Sequence, residues 1–172
     1  MKKVRGFTIF LTAVMIMFGL FGCTNNAQFD IKTYQNAEKN TMLLDYYEQT
    51  VGTPMKQPYY ELVLYTYSDT QATLEEIAEG GTDDETITRY LIPIEGAQEM
   101  LTAVKKSGMA RWNSREGIAI CGRSNVCKFP DGNGGYTRVT SGNMPEDGSR
   151  IFGEIKIAMR KWISKGTVVT EP

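Results

Sequence analysis

The chain contains three cysteines and no histidine, which limits the chemistry that its side chains can carry out. Without histidine there is no Ser-His-Asp or Cys-His catalysis, no histidine-ligated zinc, and not the commonest general base near neutral pH. Gly132, Gly134 and Gly135 connect two predicted strands, so they do not form a phosphate-binding loop ahead of a helix. The sequence therefore predicts no catalytic residue, no metal site and no cofactor.

Cys121 and Cys127 are the two cysteines outside the amino-terminal region. If residues 123–125 form the turn of a hairpin, these cysteines lie opposite each other on adjacent strands, close enough for a disulfide. Such a pair readily oxidises outside the cytoplasm. Two alternatives stay open: both thiols are unpaired, or the pair is redox-active, although its spacing is not Cys-x-x-Cys.

Several acidic residues are candidates for cation binding or acid–base catalysis. The segment 131–135 (Asp-Gly-Asn-Gly-Gly) places oxygen ligands at alternate positions, as calcium loops do, but it lacks the distal glutamate of an EF-hand and also suits a hairpin turn. The acidic run 83–85 suits either a cation or a solvated turn. A glycosidase needs two acids about 5 to 10 Å apart. The other candidates, with no preference among them, are Glu61, Glu95, Glu99 and Glu116.

The first 22 residues have the pattern of a secretory signal. Basic residues precede an apolar run from 7 to 21, which is shorter than the roughly 20 residues that span a bilayer as a helix. Leu20-Phe21-Gly22-Cys23 resembles the lipobox of bacterial lipoproteins, although Phe21 stands where that family usually has a small or short aliphatic residue. The resemblance implies cleavage before Cys23, a diacylglyceryl group on its sulfur, and a stable anchor of two or more acyl chains.

A polar stretch after Cys23 is typical of a flexible tether. Within it, Leu43, Tyr47 and Val51 lie four residues apart, which predicts a short helix over 41–52. Prolines then lead into the domain. The predicted regions are the signal at 1–22, the anchor and tether at 23–57, one globular domain at 58–166 and a tail at 167–172.

Alternating apolar residues predict strands in the domain, and apolar residues at i, i+3 and i+4 predict two helices. The predicted elements are strands 59–68, 71–78 and 85–92, a helix over 93–108, strands 118–121, 126–129 and 136–140, and a helix over 149–164. This order, βββα-βββα, predicts an α+β fold in which two helices pack on one face of an antiparallel sheet. The dipeptide Thr-Arg occurs before each predicted helix, at Thr88-Arg89 and at Thr137-Arg138. An internal duplication is therefore one hypothesis, and a domain without internal symmetry is the alternative.

Charge is unevenly distributed along the chain. Residues 24–104 carry four bases and fourteen acids, whereas residues 105–165 carry twelve bases and five acids. Either the two halves pack together and their charges intermix, or the second half presents a basic surface to anionic lipid or wall polymer. We expect a lipid-anchored module on the extracytoplasmic face of the cell membrane that binds an envelope protein or an anionic wall polymer, and not nucleic acid. The alternative is an envelope hydrolase that uses carboxylates or a metal.

Overall fold

The computed structural model describes residues 26–52, 57–112, 122–141 and 147–169. They form a seven-stranded antiparallel sheet with two α-helices packed against it, so the predicted α+β fold is confirmed. The helices are α1 (Ile94–Ser107) and α2 (Gly148–Ile163). The strands are β1 (Met42–Val51), β2 (Tyr59–Thr66), β3 (Gln71–Gly80), β4 (Thr86–Pro93), β5 (Gly122–Pro130), β6 (Tyr136–Thr140) and β7 (Thr167–Val168).

The strands lie in the order β6-β5-β1-β2-β3-β4-β7. The helix predicted over 41–52 is wrong, because these residues form β1 in the middle of the sheet, paired with β2 on one side and β5 on the other. Residues spaced four apart lie on one face of a strand as well as on one face of a helix, so Leu43, Tyr47 and Val51 did not distinguish the two. A strand with neighbours on both sides gains hydrogen bonds along both edges.

Both helices were predicted almost to the residue. Pro93 is the N-cap of α1 and Gly108 is its C-cap in the left-handed conformation (φ 72°), which suits a residue without Cβ. Ala97, Met100, Leu101 and Val104 of α1 are all fully buried. The helices cover one face of the sheet, and their buried residues join those of the strands in one core; the largest are Tyr46, Leu62, Leu64, Leu74, Ile92, Phe129 and Phe152.

Two short segments predicted as tether and tail belong to the fold. Residues Asn26–Phe29 and Ile31–Tyr34 form 3-10 turns that pack on α1, with Phe29 3% exposed and Ile31 8% exposed. The side-chain amide of Gln98 in α1 accepts a hydrogen bond from the Ile31 N–H and donates one to the Phe29 carbonyl oxygen. At the other end of the chain, β7 pairs with β4. The folded domain is therefore larger than predicted in both directions.

The second half differs from the prediction in one hairpin. Residues 123–125 are part of β5 and pair with Glu48, Gln49 and Thr50 of β1, so the predicted turn is wrong. The strand predicted at 118–121 lies outside the described residues, as does the signal. The duplication remains a hypothesis. In the described ranges, no helix combines the length and apolar composition needed to cross a bilayer.

Candidate functional site

The face of the sheet opposite the helices, called the open face here, carries an unusual row of charges. Directly paired residues on six neighbouring strands form this row, called the charged row, in the order Arg138, Lys128, Asp45, Val63, Glu75 and Arg89. Side chains point alternately to the two faces of a strand, so all six lie on one face. No helix of the described part of the chain covers them.

The two acids of the charged row differ in how they are neutralised. Glu75 is 7% exposed, and its carboxylate lies 2.5 Å from the Arg89 Nε. Lys128 is directly opposite Asp45, and Arg138 follows Lys128 across the sheet. Asp45 nevertheless has a buried oxygen, Oδ1, without a hydrogen-bond partner. A buried charge is expensive unless it is fully paired, so this position is electrostatically strained.

A second acidic residue, Glu61, lies next to Asp45 on the open face. Glu61 lies on the same face of β2, diagonal to Asp45 across the β1–β2 pair. Burial, the nearby Asp45 charge and a hydrogen bond between the two carboxyls raise the pKa of Glu61 to about 7. Burial also raises the pKa of Asp45, while the hydrogen bond from Glu61, Lys128 and Arg138 act in the opposite direction. These shifts favour a proton held between the two carboxyls, with Glu61 as its donor.

Aromatic and aliphatic side chains surround this acid pair. The rings of Tyr47 and Tyr59 pack with their centroids 5.1 Å apart and their planes tilted by 31°, and the Tyr47 hydroxyl donates to the Gln49 side-chain oxygen. A second row on the open face runs beside the charged row, in which Glu61 pairs with Ile77 and Ile77 pairs with Ile87. Ile87 is 56% exposed. The open face thus combines apolar contact area with a proton-sharing pair, which suits contact with another molecular surface.

Two concave regions of the described structure lie elsewhere. A crevice of about 260 Å³ lies between the 3-10 turns, the start of β1 and the β5–β6 turn, with Tyr34, Met42 and Tyr136 among its walls. A smaller cleft of about 150 Å³ is lined by Glu48, Tyr60 and other residues at the opposite end of the strands. Neither contains the acid pair.

The smaller cleft adjoins a polar cluster where α2 crosses the sheet. Glu48 accepts hydrogen bonds from Lys156 Nζ (2.8 Å) and the Tyr46 hydroxyl (2.9 Å), and Arg123 Nε is 3.2 Å from its other oxygen. The hydrogen bonds from Lys156 and Tyr46 lower the pKa of Glu48 and outweigh the raising effect of its burial. On the same side, Lys161 pairs with Glu99. These contacts join the acidic first half to the basic second half, so the charges of the two halves intermix.

The structure shows the surroundings of Cys127 and of the segment 131–135, the candidate calcium loop. Cys127 carries a free, fully buried thiol. Gly122 lies roughly 17 Å away along the same continuous strand, so the hairpin geometry that supported a disulfide is absent. Cys121 and Cys23 lie outside the described residues; the lipidation stays a prediction, and the disulfide prediction has lost the hairpin on which it rested. Asp131 Oδ1 accepts hydrogen bonds from the backbone N–H groups of residues 133 and 135, as in a hairpin turn.

The remaining acidic candidates do not converge. Glu95 is exposed, Glu99 is bound to Lys161 and to the Trp162 indole N–H, and residues 83–85 are exposed in the β3–β4 turn. Glu116 lies outside the described residues. Within the described ranges, no cluster of three or more potential ligands could hold a metal ion.

Of the acid pair, the sequence indicated Glu61 but missed Asp45. Asp45 stands in the segment predicted as a helix, although the alternation of Leu44, Tyr46 and Glu48 with Asp45, Tyr47 and Gln49 is the signal that identifies a strand there. Neither a protein-family model nor a curated protein sequence matches this chain. Its function must therefore be argued from its own residues.

Proposed function

We propose that this chain is a lipid-anchored, extracytoplasmic interaction module of the bacterial envelope that binds another envelope protein through its open face. The motif ending in Cys23 supports the anchor and the location. The observation that carries the binding role is the open face itself. It combines a pair of packed tyrosines, an exposed isoleucine and two adjacent carboxyls with raised pKa values on a surface that α1 and α2 leave free.

The distribution of charge favours a protein partner over an anionic polymer. A polyanion needs a surface of unpaired cations, whereas on the open face Arg89 is paired with Glu75 and Lys128 lies directly opposite Asp45. The charged row and Glu61 together have three acidic and three basic residues, and Glu61 is neutral while it holds its proton, so the net charge of this set stays between zero and one positive unit. A partner with mixed apolar and polar side chains matches it better than a polymer of one sign.

Two exposed isoleucines provide a matched test of the binding face. Ile87 lies on the open face and is 56% exposed, and Ile157 lies on α2 and is 69% exposed. A photo-cross-linking amino acid is placed at each position in turn, in the full chain expressed in its native bacterium. We expect the probe at 87, and not the probe at 157, to yield a discrete cross-linked protein that mass spectrometry identifies.

A probe at position 59, which also lies on the open face beside Tyr47, reports the effect of substitutions elsewhere. Ile87→Asp should abolish the cross-link formed from position 59, whereas Ile157→Asp should leave it intact. Equal cross-linking from both positions, or none from the open face, contradicts this binding role. Loss of membrane association and of acyl mass in Cys23→Ser tests the anchor separately.

An envelope hydrolase is the second candidate, and the Asp45–Glu61 pair is the observation that favours it. Two carboxyls that share a proton near neutral pH can act as acid and base in hydrolysis. If the pair is catalytic, Asp45→Asn and Glu61→Gln each abolish cleavage of glycan or ester substrates without unfolding the protein. If purified protein has no activity that depends on these two residues, the hydrolase proposal fails.

A further inference from the structure

The distance between the lipid anchor and the folded domain is limited by covalent geometry. Cys23 precedes the buried Phe29 by six residues, and a fully extended chain covers at most about 3.6 Å per residue, or roughly 20 Å here. Phe29 and Ile31 are held on α1 by two of the hydrogen bonds of the Gln98 side chain. A lipid on Cys23 therefore leaves little freedom between the bilayer and this part of the domain.

The elements beside the 3-10 turns all lie at one end of the sheet. Met42 at the start of β1 pairs with Tyr65 at the end of β2, and Pro130 at the end of β5 pairs with Tyr136 at the start of β6. The 260 Å³ crevice joins the 3-10 turns to the β5–β6 turn. This end, called the anchor end, comprises residues 26–41, the turns 67–70 and 131–135, and Tyr136 at the start of β6.

Exposed tyrosines at the anchor end carry lysines over their rings. Tyr67 is 36% exposed with the Lys39 ammonium 4.2 Å from its ring centroid, and Tyr136 is 42% exposed with the Lys128 ammonium at 4.8 Å. Tyrosine and lysine are suited to the boundary between water and lipid headgroups, because each combines an apolar body with a polar tip.

Charge at the anchor end is acidic overall, so attraction to anionic lipid does not hold this end at a membrane. The charged residues there are Lys32 and Lys39 against Asp30, Glu38, Asp69 and Asp131. The short connection and the tyrosines are the features that would hold this end at a bilayer.

We infer that the anchor end rests on the headgroups of the bilayer, with the strands of the sheet directed away from the membrane. This inference rests on the lipid anchor of the proposed function. It places the β3–β4 turn at the far end of β3, whose ten residues span roughly 30 Å. The open face then stands upright, accessible to a partner from the side.

Energy transfer from two exposed turns to the bilayer tests this orientation. A fluorescent donor is attached to Asn133→Cys in the β5–β6 turn or to Asp83→Cys in the β3–β4 turn, with Cys121 changed to serine and the buried Cys127 left in place. The acylated full chain is incorporated into phosphatidylcholine vesicles that contain a headgroup-labelled acceptor lipid. We expect transfer from position 133 to exceed that from position 83 at least about twofold, because the strand separates them by roughly 30 Å.

A chain with about 15 Gly and Ser residues inserted between Thr24 and Asn25 is the matched control. Such an insert adds a mean reach of roughly 20 Å, so the difference between the two positions should become small. Because the excess of acidic residues gives the anchor end no attraction to anionic lipid, the difference in the native chain should not increase when phosphatidylglycerol is added to the vesicles.

The failures of the two proposals are distinguishable. Equal transfer from both positions in an acylated, vesicle-bound chain refutes the orientation alone. A chain that gains no acyl mass at Cys23 and does not bind vesicles refutes the proposed anchor and, with it, the orientation.

Discussion

Replacing Glu61 with glutamine should make the protein less sensitive to alkaline pH. Glu61 has a folded-state pKa of about 7, against an ordinary value of 4.5. Because the folded protein holds this proton more tightly than the unfolded chain, the resulting stability is fully present below pH 4.5 and is lost as pH rises to about 7. Glutamine is neutral at every pH and can still donate to Asp45, so Glu61→Gln removes this loss.

The expected magnitude follows from the size of the pKa shift. One pKa unit corresponds to about 1.36 kcal/mol, so the full shift corresponds to roughly 3 kcal/mol. Glu61 is only half-buried and solvent screens its charge, so we expect about 1–2 kcal/mol. Urea denaturation at pH 5 and pH 8 measures this difference as a change in the free energy of unfolding.

The control for this experiment is Glu38→Gln, the same chemical change at an exposed residue. Between pH 5 and pH 8, Glu38→Gln should lose as much stability as the unchanged protein, and Glu61→Gln should lose about 1–2 kcal/mol less. Parallel pH dependence of Glu61→Gln and the unchanged protein would show that the acid pair does not hold an extra proton.

Three further predictions concern packing and reactivity. Gln98→Ala should lower the free energy of unfolding by about 1–3 kcal/mol in urea denaturation, because it leaves two backbone groups of the amino-terminal 3-10 turns without partners; a change within error would refute this. Once the other internal cysteine is changed to serine, the Cys127 thiol should react with a thiol reagent only in denaturant, because it is fully buried and burial raises its pKa; rapid labelling of native protein would contradict this. Gly96→Val should lower the melting temperature, since a Cβ there would approach the Trp162 ring to 2.8 Å, whereas Gly153→Ala in α2 has free space and should leave it unchanged or raise it.

The elements predicted correctly are those with an unambiguous local pattern. In α1, four apolar residues at helical spacing lie between a first-turn Glu95 and the C-cap Gly108, so periodicity and capping agree. In β2, alternate residues such as Leu62 and Leu64 point to the core, as their spacing of two requires. Local sequence is sufficient for these elements because the spacing of their apolar residues fits only one type of element, a helix for α1 and a strand for β2.

The elements predicted incorrectly depend on partners distant in sequence. The polar residues 123–125 resemble a turn, yet they extend β5 because β1 supplies hydrogen-bonding partners about 75 residues earlier in the chain. The segment 41–52 was compatible with either period, and its place between β2 and β5 decided that it is a strand.

The sequence by itself determined the composition that excludes histidine chemistry, the lipobox-like segment at Cys23, both helices and the strands β2 to β4 and β6. Only the tertiary structure brought Asp45 beside Glu61, mixed the charges of the two halves, and brought the amino-terminal turns into the folded domain. The physical reason is that a pKa, an ion pair and burial depend on distance through space and on exclusion of water. The order of strands in the sheet sets these distances and the exclusion of water, because it brings together residues that lie far apart along the chain.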